Sequence, residues 1–233
     1  MKPRGKLIAL EGIDGSGKRT QLDLLAQALD ARGLPTLRIS FPRYESFFGK
    51  LAGKYLNGDF GPLEAVDPRF SALLYAGDRF EAKGELELAL DAGKIVLADR
   101  YIGSNLAHQT ERVPSGQRDE FVAWLKHLEY GIYGLPVEDL VIYLRVPAAE
   151  AQRLVGRKAA RTYTSRRHDI QEANIAHLEQ TTTIYDRLAT ESNWVRIDCT
   201  DTATGGLHSP GEIHQAVLST VESRVLSRAS AGS

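Results

Sequence analysis

The amino-acid sequence predicts a three-layer α/β sandwich, in which helices cover both faces of a five-stranded parallel sheet. Short apolar runs alternate with longer segments whose apolar residues recur at helical spacing. This alternation is typical of βαβ units, whose strands are parallel. A chain of 233 residues with 42% hydrophobic content can enclose such a core in one domain. We expect a single domain over residues 1–228 and a frayed Ser/Ala/Gly-rich tail at 229–233.

The elements follow one another in a regular order along the chain. The short apolar runs predict strands at residues 7–10, 36–41, 95–98, 140–146 and 194–197. Leucine and alanine at helical spacing predict the first helix at residues 21–31. The same period predicts further helices at residues 67–92, 117–133, 148–156, 171–191 and 212–226.

A glycine-rich turn follows the first predicted strand. It matches G-x-x-x-x-G-K from Gly12 to Lys18 and leads into a predicted helix, as the phosphate-binding P-loop requires. Glycines let the backbone N–H groups face inward, while the helix N-terminus and the Lys18 ammonium add positive charge. We therefore predict the fold of P-loop NTPases. We also predict an ATP site made of Gly12, Ile13, Asp14, Gly15, Ser16, Gly17, Lys18, Arg19 and Thr20.

The loop departs from the usual motif at the position after its lysine. A Ser or Thr normally stands there to hold Mg²⁺, but this chain has Arg19, and Thr20 comes one residue late. Magnesium should therefore depend more on carboxylates, and the candidates are Asp14, Asp99 and Glu172.

Charged and aromatic residues follow two predicted strands at the edge where such folds bind ligands. The third strand ends in Asp99 and Arg100, and the second ends in Phe41-Pro42-Arg43-Tyr44. A planar guanidinium can fork onto a phosphate, so Arg43 and Arg100 are candidates for a second anion. Taken alone, an Asp-Arg pair at a strand end is a surface salt bridge about as often as it is part of a binding site.

The long predicted helix adds an aromatic ring and a third arginine. Tyr75 lies one turn before Asp78 and Arg79, and these spacings share one helix face. Taken alone, Tyr75 could be a core aromatic, and Arg79 could simply pair with Asp78 or Glu81. Together with the strand ends, they indicate a monophosphate site beside the P-loop.

These segments resemble thymidylate kinases. EGIDGSGKRTQ, FPRY, LLYAGDRFE, DRYIGSNLAHQ and LVIYLRVPAAEA lie in the order and spacing of that family, and the resemblance covers nearly the whole chain. It implies a five-stranded parallel sheet with a LID flap, a homodimer, and transfer of the γ-phosphate from ATP, with Mg²⁺, to dTMP to form dTDP.

The resemblance also implies roles for individual residues. Asp14 would meet the sugar 3′-hydroxyl or its magnesium, and Tyr75 would stack on thymine. Arg79 and Asn105 would hydrogen-bond the base edge, which suits the O4 acceptor and N3 donor of thymine. Arg43, Tyr44 and Arg100 would hold the acceptor phosphate. The whole implied dTMP site is Asp14, Phe41, Arg43, Tyr44, Tyr75, Arg79, Arg100, Ser104, Asn105 and His108.

Three positions depart from the family. Tyr75 replaces a common Phe, and its hydroxyl needs a partner. His108 stands where the family often has a Tyr near the deoxyribose C2′, which weakens the expectation that ribonucleotides are rejected. Arg145 stands where the family usually has Asp, and the sequence offers no functional reason for it.

A basic segment at residues 157–168 is the expected LID flap. Its sequence begins RKAARTYTSRR and has little apolar content, so it cannot pack into the core. The interior of the P-loop contains no basic residue, and Arg19 is expected to point away from the phosphates. We therefore expect the flap to supply transition-state charge, with Arg166 and Arg167 as second choices after Arg157 and Arg161. The predicted catalytic residues are Lys18, Arg100, Arg157 and Arg161.

The composition and the absence of certain motifs exclude several other functional classes of protein. A net charge of −1 gives no overall positive field for nucleic acid or an anionic membrane. The lone Cys199 excludes an intrachain disulfide, and no apolar signal or spanning segment is present, so we expect a cytoplasmic enzyme. A switch GTPase would need Asn-Lys-x-Asp, which does not occur. A deoxynucleoside kinase or another nucleoside monophosphate kinase remains the alternative, although a neutral hydroxyl acceptor needs no arginine cluster.

Overall fold

The computed structural model describes residues 4–62, 65–159, 175–201 and 205–227. Within these residues, five parallel strands form one sheet in the order β2-β3-β1-β4-β5. The strands are Lys6–Glu11 (β1), Thr36–Ser40 (β2), Ile95–Asp99 (β3), Leu140–Arg145 (β4) and Trp194–Asp198 (β5). The predicted α/β fold with a five-stranded parallel sheet is confirmed, and each predicted strand end lies within one residue of the observed end.

The central strands are buried on both faces, as expected of a parallel sheet covered by helices. Strand β1 pairs with β3 on one side and β4 on the other, so that Ile8 lies opposite both Leu97 and Leu140. All three of these side chains are at most 1% exposed. This arrangement brings the carboxyl ends of β1 and β3 together at one edge of the sheet.

Helices cover the sheet and extend beyond its edge. They are Lys18–Asp30 (α1), Phe47–Leu56 (α2), Pro68–Asp91 (α3), Ile102–Thr110 (α4), Arg118–Lys126 (α5), Ala148–Ala159 (α6), Ile175–Leu188 (α7) and Pro210–Val221 (α8). Short 3₁₀ and π segments lie at Ser115–Gln117, His127–Ile132 and Glu222–Leu226. None of the helices in the described ranges is long and apolar enough to cross a membrane.

Two of these helices were not predicted from the sequence. Helix α4 is nine residues long and all of its residues are buried, the polar ones included, so it lacks the exposed polar face by which a surface helix is recognised. Helix α2 contains Gly49 and Gly53, which lower its helical propensity. It is stabilised instead by its N-cap, since the Ser46 side chain accepts a hydrogen bond from the Gly49 amide.

Arg145, which the sequence left without a role, forms ion pairs at the end of β4. Its Nε lies 3.1 Å from Asp186 Oδ1, and its NH1 lies 3.8 Å from Asp198 Oδ1. Asp186 belongs to α7 and Asp198 ends β5. The arginine therefore joins a strand, its neighbour and the covering helix, and its role is structural.

Candidate functional site

The turn after β1 needs glycine at specific positions. Gly12, Gly15 and Gly17 have φ values of 144°, 84° and 88°, in the region that side chains disfavour. A Cβ at Gly12 would lie 2.6 Å from the Leu144 carbonyl oxygen, and one at Gly15 would lie 2.3 Å from that of Ala151. The loop is thus packed directly against β4 and α6, and α1 begins immediately after it, at Lys18.

Lys18 reaches back over this loop. Its Nζ donates to the carbonyl oxygens of Gly12 and Ile13, each at 2.9 Å, and the residue is 6% exposed. Burial first, and then the neighbouring Arg100, lower the pKa of Lys18 from 10.5 to about 8. A buried ammonium at the mouth of an amide-lined loop is suited to a polyphosphate.

Arg19 extends along α1 rather than over the loop. The Arg19 Nε bonds Asp23 Oδ2 at 3.1 Å, one turn along α1, and the side chain is 66% exposed. The pair agrees with the expectation for Arg19, whose orientation toward bound phosphates stays a prediction. Thr20 lines a second cavity on the α8 side of the loop, which we call the donor pocket. Its other walls include Gln21, Val146, Leu154, Cys199 and Pro210.

A separate cavity, the acceptor pocket, lies on the other side of the loop at the ends of β2 and β3. It contains nearly all residues predicted for the second site: Asp14, Phe41, Tyr44, Tyr75, Arg79, Arg100, Ser104, Asn105 and His108. It also contains residues that the sequence did not assign to a site, namely Pro42, Leu56, Asp78 and Gln109. The two predicted nucleotide sites are therefore adjacent, with Asp14 and Arg100 between them.

Arg43 is the one predicted acceptor residue that lies outside this lining. Its Nε donates to Asp78 Oδ1 at 3.1 Å, and its backbone amide donates to Asp78 Oδ2 at 2.7 Å. The Ser46 hydroxyl also donates to Asp78, at 2.7 Å. Asp78 therefore holds the Arg43 guanidinium beside the pocket, and the expected contact of Arg43 with an acceptor phosphate stays a prediction.

Arg100 occupies the boundary between the loop and the acceptor pocket. Its φ of 66° is left-handed, which is strained for a residue with a side chain. The guanidinium bonds Asp14 through NH2, and NH1 bonds Ser104 Oγ at 2.9 Å and the Gly12 carbonyl oxygen at 3.3 Å. Burial would raise the pKa of Asp14, but Arg100 and then Lys18 outweigh it and lower that pKa. Asp14 is therefore ionised at neutral pH.

A buried polar cluster forms the floor of the acceptor pocket. Glu129 accepts two hydrogen bonds from Arg79, from Nε at 2.5 Å and from NH2 at 2.7 Å. It also accepts one from Asn105 Nδ2 at 2.8 Å. Among the described residues, the buried Asn105 Oδ1 has no hydrogen-bond partner. A ligand that reaches the floor would therefore meet an amide acceptor beside a fixed guanidinium.

Aromatic rings form the walls above this floor. Tyr75 is partly buried and meets Tyr55 edge-on, with ring centroids 6.2 Å apart and planes at 87°. Tyr44 is 53% exposed at the rim. The edge contact fixes the orientation of Tyr75, which lines the pocket. Its ring therefore offers a surface on which a flat apolar ligand group can stack.

The carboxylates at this edge fit a magnesium ion that is shared with substrate phosphates. Asp14 and Asp99 both influence the Lys18 ammonium electrostatically, which places them beside the phosphate loop. Over the described ranges, no group of three or more His, Cys, Asp or Glu side chains could hold a metal by itself. Magnesium often binds through one or two carboxylates together with phosphate oxygens, and Asp14 and Asp99 have the chemistry for such a shared site. Glu172 lies outside the described residues, as do Arg161, Arg166, Arg167 and the Arg157 side chain.

Sequence reasoning missed two carboxylates that organise the site. Glu11, fully buried at the end of β1, accepts from the amides of Tyr101 and Ser104 at 2.8 and 3.0 Å, and from Tyr185 Oη at 3.0 Å. Glu129 lies on a π segment 50 residues from Arg79 along the chain. Both carboxylates bind residues far away along the chain, so no local sequence pattern reveals these contacts. An acidic residue within an apolar strand, such as Glu11, is nevertheless unusual.

Comparison with known proteins agrees with this geometry. The sequence model of the family described as Thymidylate kinase matches residues 10–208. A thymidylate kinase of Mycobacterium tuberculosis is 33% identical over 187 residues, which are 79% of this chain and 86% of that protein. A probable thymidylate kinase of Thermococcus gammatolerans is 29% identical over 228 residues, covering 96% and 99% of the two chains.

A solved structure supports the same fold. The thymidylate kinase of Candida albicans superposes with a TM-score of 0.74 at 20% identity, over 96% of this chain and 93% of that one. The parallel sheet, the phosphate loop beside the acceptor pocket and the match over residues 10–208 agree. The chain belongs to the thymidylate kinase family.

Proposed function

We propose that this protein transfers the γ-phosphate of ATP to dTMP, forming dTDP and ADP. The observation that carries the proposal is the floor of the acceptor pocket, where Asn105 Oδ1 has no partner among the described residues and Arg79 is fixed alongside. Thymine offers an N3 donor to the amide oxygen and an O4 acceptor to the guanidinium. Tyr75 supplies the stacking surface above them.

The chemistry needs positioning rather than a general base. An oxygen of the dTMP phosphate, already ionised at neutral pH, attacks the γ-phosphorus of ATP, and the bond to the β–γ bridging oxygen breaks. Lys18 and the loop amides hold the donor phosphates, while Arg100 orients the acceptor. Arg43 and Tyr44, at the rim, complete the acceptor-phosphate contacts.

A magnesium ion bound with ATP would neutralise charge on the phosphate oxygens. Asp14 and Asp99 are the described residues that would hold it, with Glu172 as a further candidate. The expected flap at residues 157–168 begins within α6, which continues to Ala159, and the rest of it lies outside the described residues. We propose that this segment of the single domain covers the phosphates and that Arg157 and Arg161 meet the transferring group.

The surface of α3 supports a homodimer. Phe70, Leu73, Phe80 and Leu88 are 43%, 37%, 48% and 74% exposed. Their spacing places them on one side of the helix, where an apolar stripe is typical of an interface. We propose that a second copy of the chain covers this stripe. Sedimentation should show a dimer, and Phe80→Glu should shift it toward the monomer. We also assign the enzyme to the cytoplasm.

One assay tests the activity. ATP consumption should be fastest with dTMP and slower with dUMP, dCMP, dGMP and UMP. Thymidine itself should not be phosphorylated, because it lacks the phosphate that Arg100 engages. Turnover of thymidine in preference to dTMP would instead establish a deoxynucleoside kinase, and preference for another monophosphate would overturn the thymine reading of Asn105.

A further inference from the structure

A line of buried polar side chains runs from Arg100 away from the acceptor pocket. Arg100 NH1 lies 3.4 Å from His108 Nε2, and His108 Nδ1 lies 3.4 Å from His177 Nε2. His177 Nδ1 lies 2.7 Å from Glu111 Oε2. The two histidines are 6% and 4% exposed, with ring centroids 5.6 Å apart. Two helices supply this line, because His108 lies on α4, Glu111 caps that helix and His177 lies on α7.

The direction of the hydrogen bonds along this line is determined by its two ends. A guanidinium can only donate and an ionised carboxylate can only accept. His108 Nε2 must therefore accept from Arg100, which places the His108 proton on Nδ1. That proton is donated to His177 Nε2, and His177 Nδ1–H is donated to Glu111. One pair of neutral tautomers satisfies all three contacts.

The opposite direction is excluded at Arg100. If His177 Nε2 donated to His108, then His108 would carry its proton on Nε2 and direct an N–H at the guanidinium. Two donors would then face each other. Burial, followed by the charge of Arg100 and the effect of His177, also holds the pKa of His108 well below its usual value, which favours the neutral ring.

We propose that His177 and Glu111 are positioning residues, which fix the tautomer of His108 so that it accepts from Arg100 and holds this guanidinium for the acceptor phosphate. This inference rests on the proposed function. Arg100 has a strained backbone and its NH1 is shared among Ser104, Gly12 and His108, so its orientation depends on the acceptors around it. His108 is the acceptor among these whose lone pair depends on a ring tautomer, and His177 on α7 contacts the nitrogen that sets that tautomer.

The tautomers can be observed directly in the full-length protein. Two-bond ¹H–¹⁵N correlation spectra of the ring nitrogens, assigned with His108→Gln and His177→Gln, should show both rings neutral and protonated at Nδ1. Glu111→Gln should allow a measurable population of the Nε2–H form. A wild-type His108 that is protonated at Nε2, or at both nitrogens, would overturn the inference. This measurement needs no turnover, so it separates from any failure of the dTMP kinase assignment.

Kinetics test the effect on Arg100. His177→Leu removes the nitrogen that accepts the His108 Nδ1 proton. It should raise the KM for dTMP about tenfold, the equivalent of one hydrogen bond, while the Kd for ATP stays unchanged. His177→Gln places an amide oxygen near the Nε2 position and should recover most of this loss. Glu179 is an exposed carboxylate on α7, the helix of His177, and Glu179→Gln serves as the control for Glu111→Gln. Equal losses in His177→Leu and His177→Gln, or a KM that does not change in His177→Leu, would contradict the proposal.

Discussion

Glu129 receives both Nε and NH2 of Arg79 beneath the acceptor pocket, at 2.5 and 2.7 Å, with side chains that are 0% and 2% exposed. The same carboxylate accepts from Asn105 Nδ2 at 2.8 Å. A single acidic residue therefore fixes both side chains that are proposed to hydrogen-bond thymine. Since the pair has almost no contact with solvent, each charge depends on the other.

Replacement of this carboxylate should be costly. Glu129→Gln would leave the Arg79 charge buried without a counter-ion, so we expect a loss of about 3–5 kcal/mol in the free energy of unfolding. Denaturant titration measures it. Glu191→Gln is the matched control, because Glu191 pairs with Lys126 at 2.6 Å but both side chains are about one-third exposed. That control should lose at most about 1 kcal/mol. Equal losses in the two variants would mean that burial does not govern the Arg79 pair.

Asn105→Ala should reduce recognition of thymine without affecting the donor. The change leaves the N3–H of thymine without an acceptor, which costs about 1–3 kcal/mol of dTMP binding. Calorimetric titration with dTMP and ATP separates the two sites. Asn193→Ala removes an amide that bonds the Glu138 carbonyl oxygen instead, and it should leave both affinities unchanged. If Asn105→Ala weakens both nucleotides equally, the residue supports the fold rather than the base.

Lys18 should make ATP binding dependent on alkaline pH. Its pKa is lowered to about 8, and only the protonated ammonium attracts phosphate, so the Kd for ATP should increase as the pH rises through that value. Lys18→Ala should lack this step and retain less than about a tenth of wild-type turnover. Lys126→Ala, on α5, should behave like the wild type in both respects. Substantial turnover by Lys18→Ala would refute the assignment of the phosphate loop.

Glu138 should make stability fall as the pH rises toward neutrality. Burial raises its pKa from 4.5 to about 7, although its bond with Tyr130 opposes the shift. Between these values the folded state holds a proton that the unfolded state has released, so the free energy of unfolding decreases with pH, by at most about 1.4 kcal/mol per unit. Glu138→Gln cannot ionise and should abolish this slope. Denaturation midpoints from pH 5 to 8 measure it, with the exposed Glu120→Gln as control. An unchanged slope in Glu138→Gln would assign the dependence to another group.

The flap arginines should act in the transition state. Arg157→Ala or Arg161→Ala should lower kcat by about 10³-fold with nearly unchanged Kd values for ATP and dTMP, because the charge is needed only during transfer. Single-turnover rates and equilibrium binding distinguish the two effects. If Arg157, Arg161, Arg166 and Arg167 can each be changed with only a few-fold effect on kcat, the charge comes from elsewhere, and Arg19 is the next candidate.

The sequence predicted those features whose signals are local. Strand ends were located within one residue because apolar runs stop where the sheet stops, and the glycines of the phosphate loop lie within a few residues of Lys18. Helix α4 escaped detection because it is buried on all sides. The pairing of Arg79 with Glu129 escaped because packing, not spacing, brings the two together. The sequence placed Arg43 at the correct edge of the sheet, but it could not show that Arg43 bonds Asp78 and lies beside the pocket rather than in its lining.

The buried Glu11 affects which parts of the molecule unfold together. Its carboxylate accepts from the Tyr101 and Ser104 amides at the start of α4 and from Tyr185 on α7. These amides can exchange their hydrogens with solvent only when contacts to β1 are also broken. Glu11 is followed directly by the phosphate loop. The two nucleotide sites should therefore share one cooperative opening unit, with matching exchange rates for Ser104 and the amides of β1.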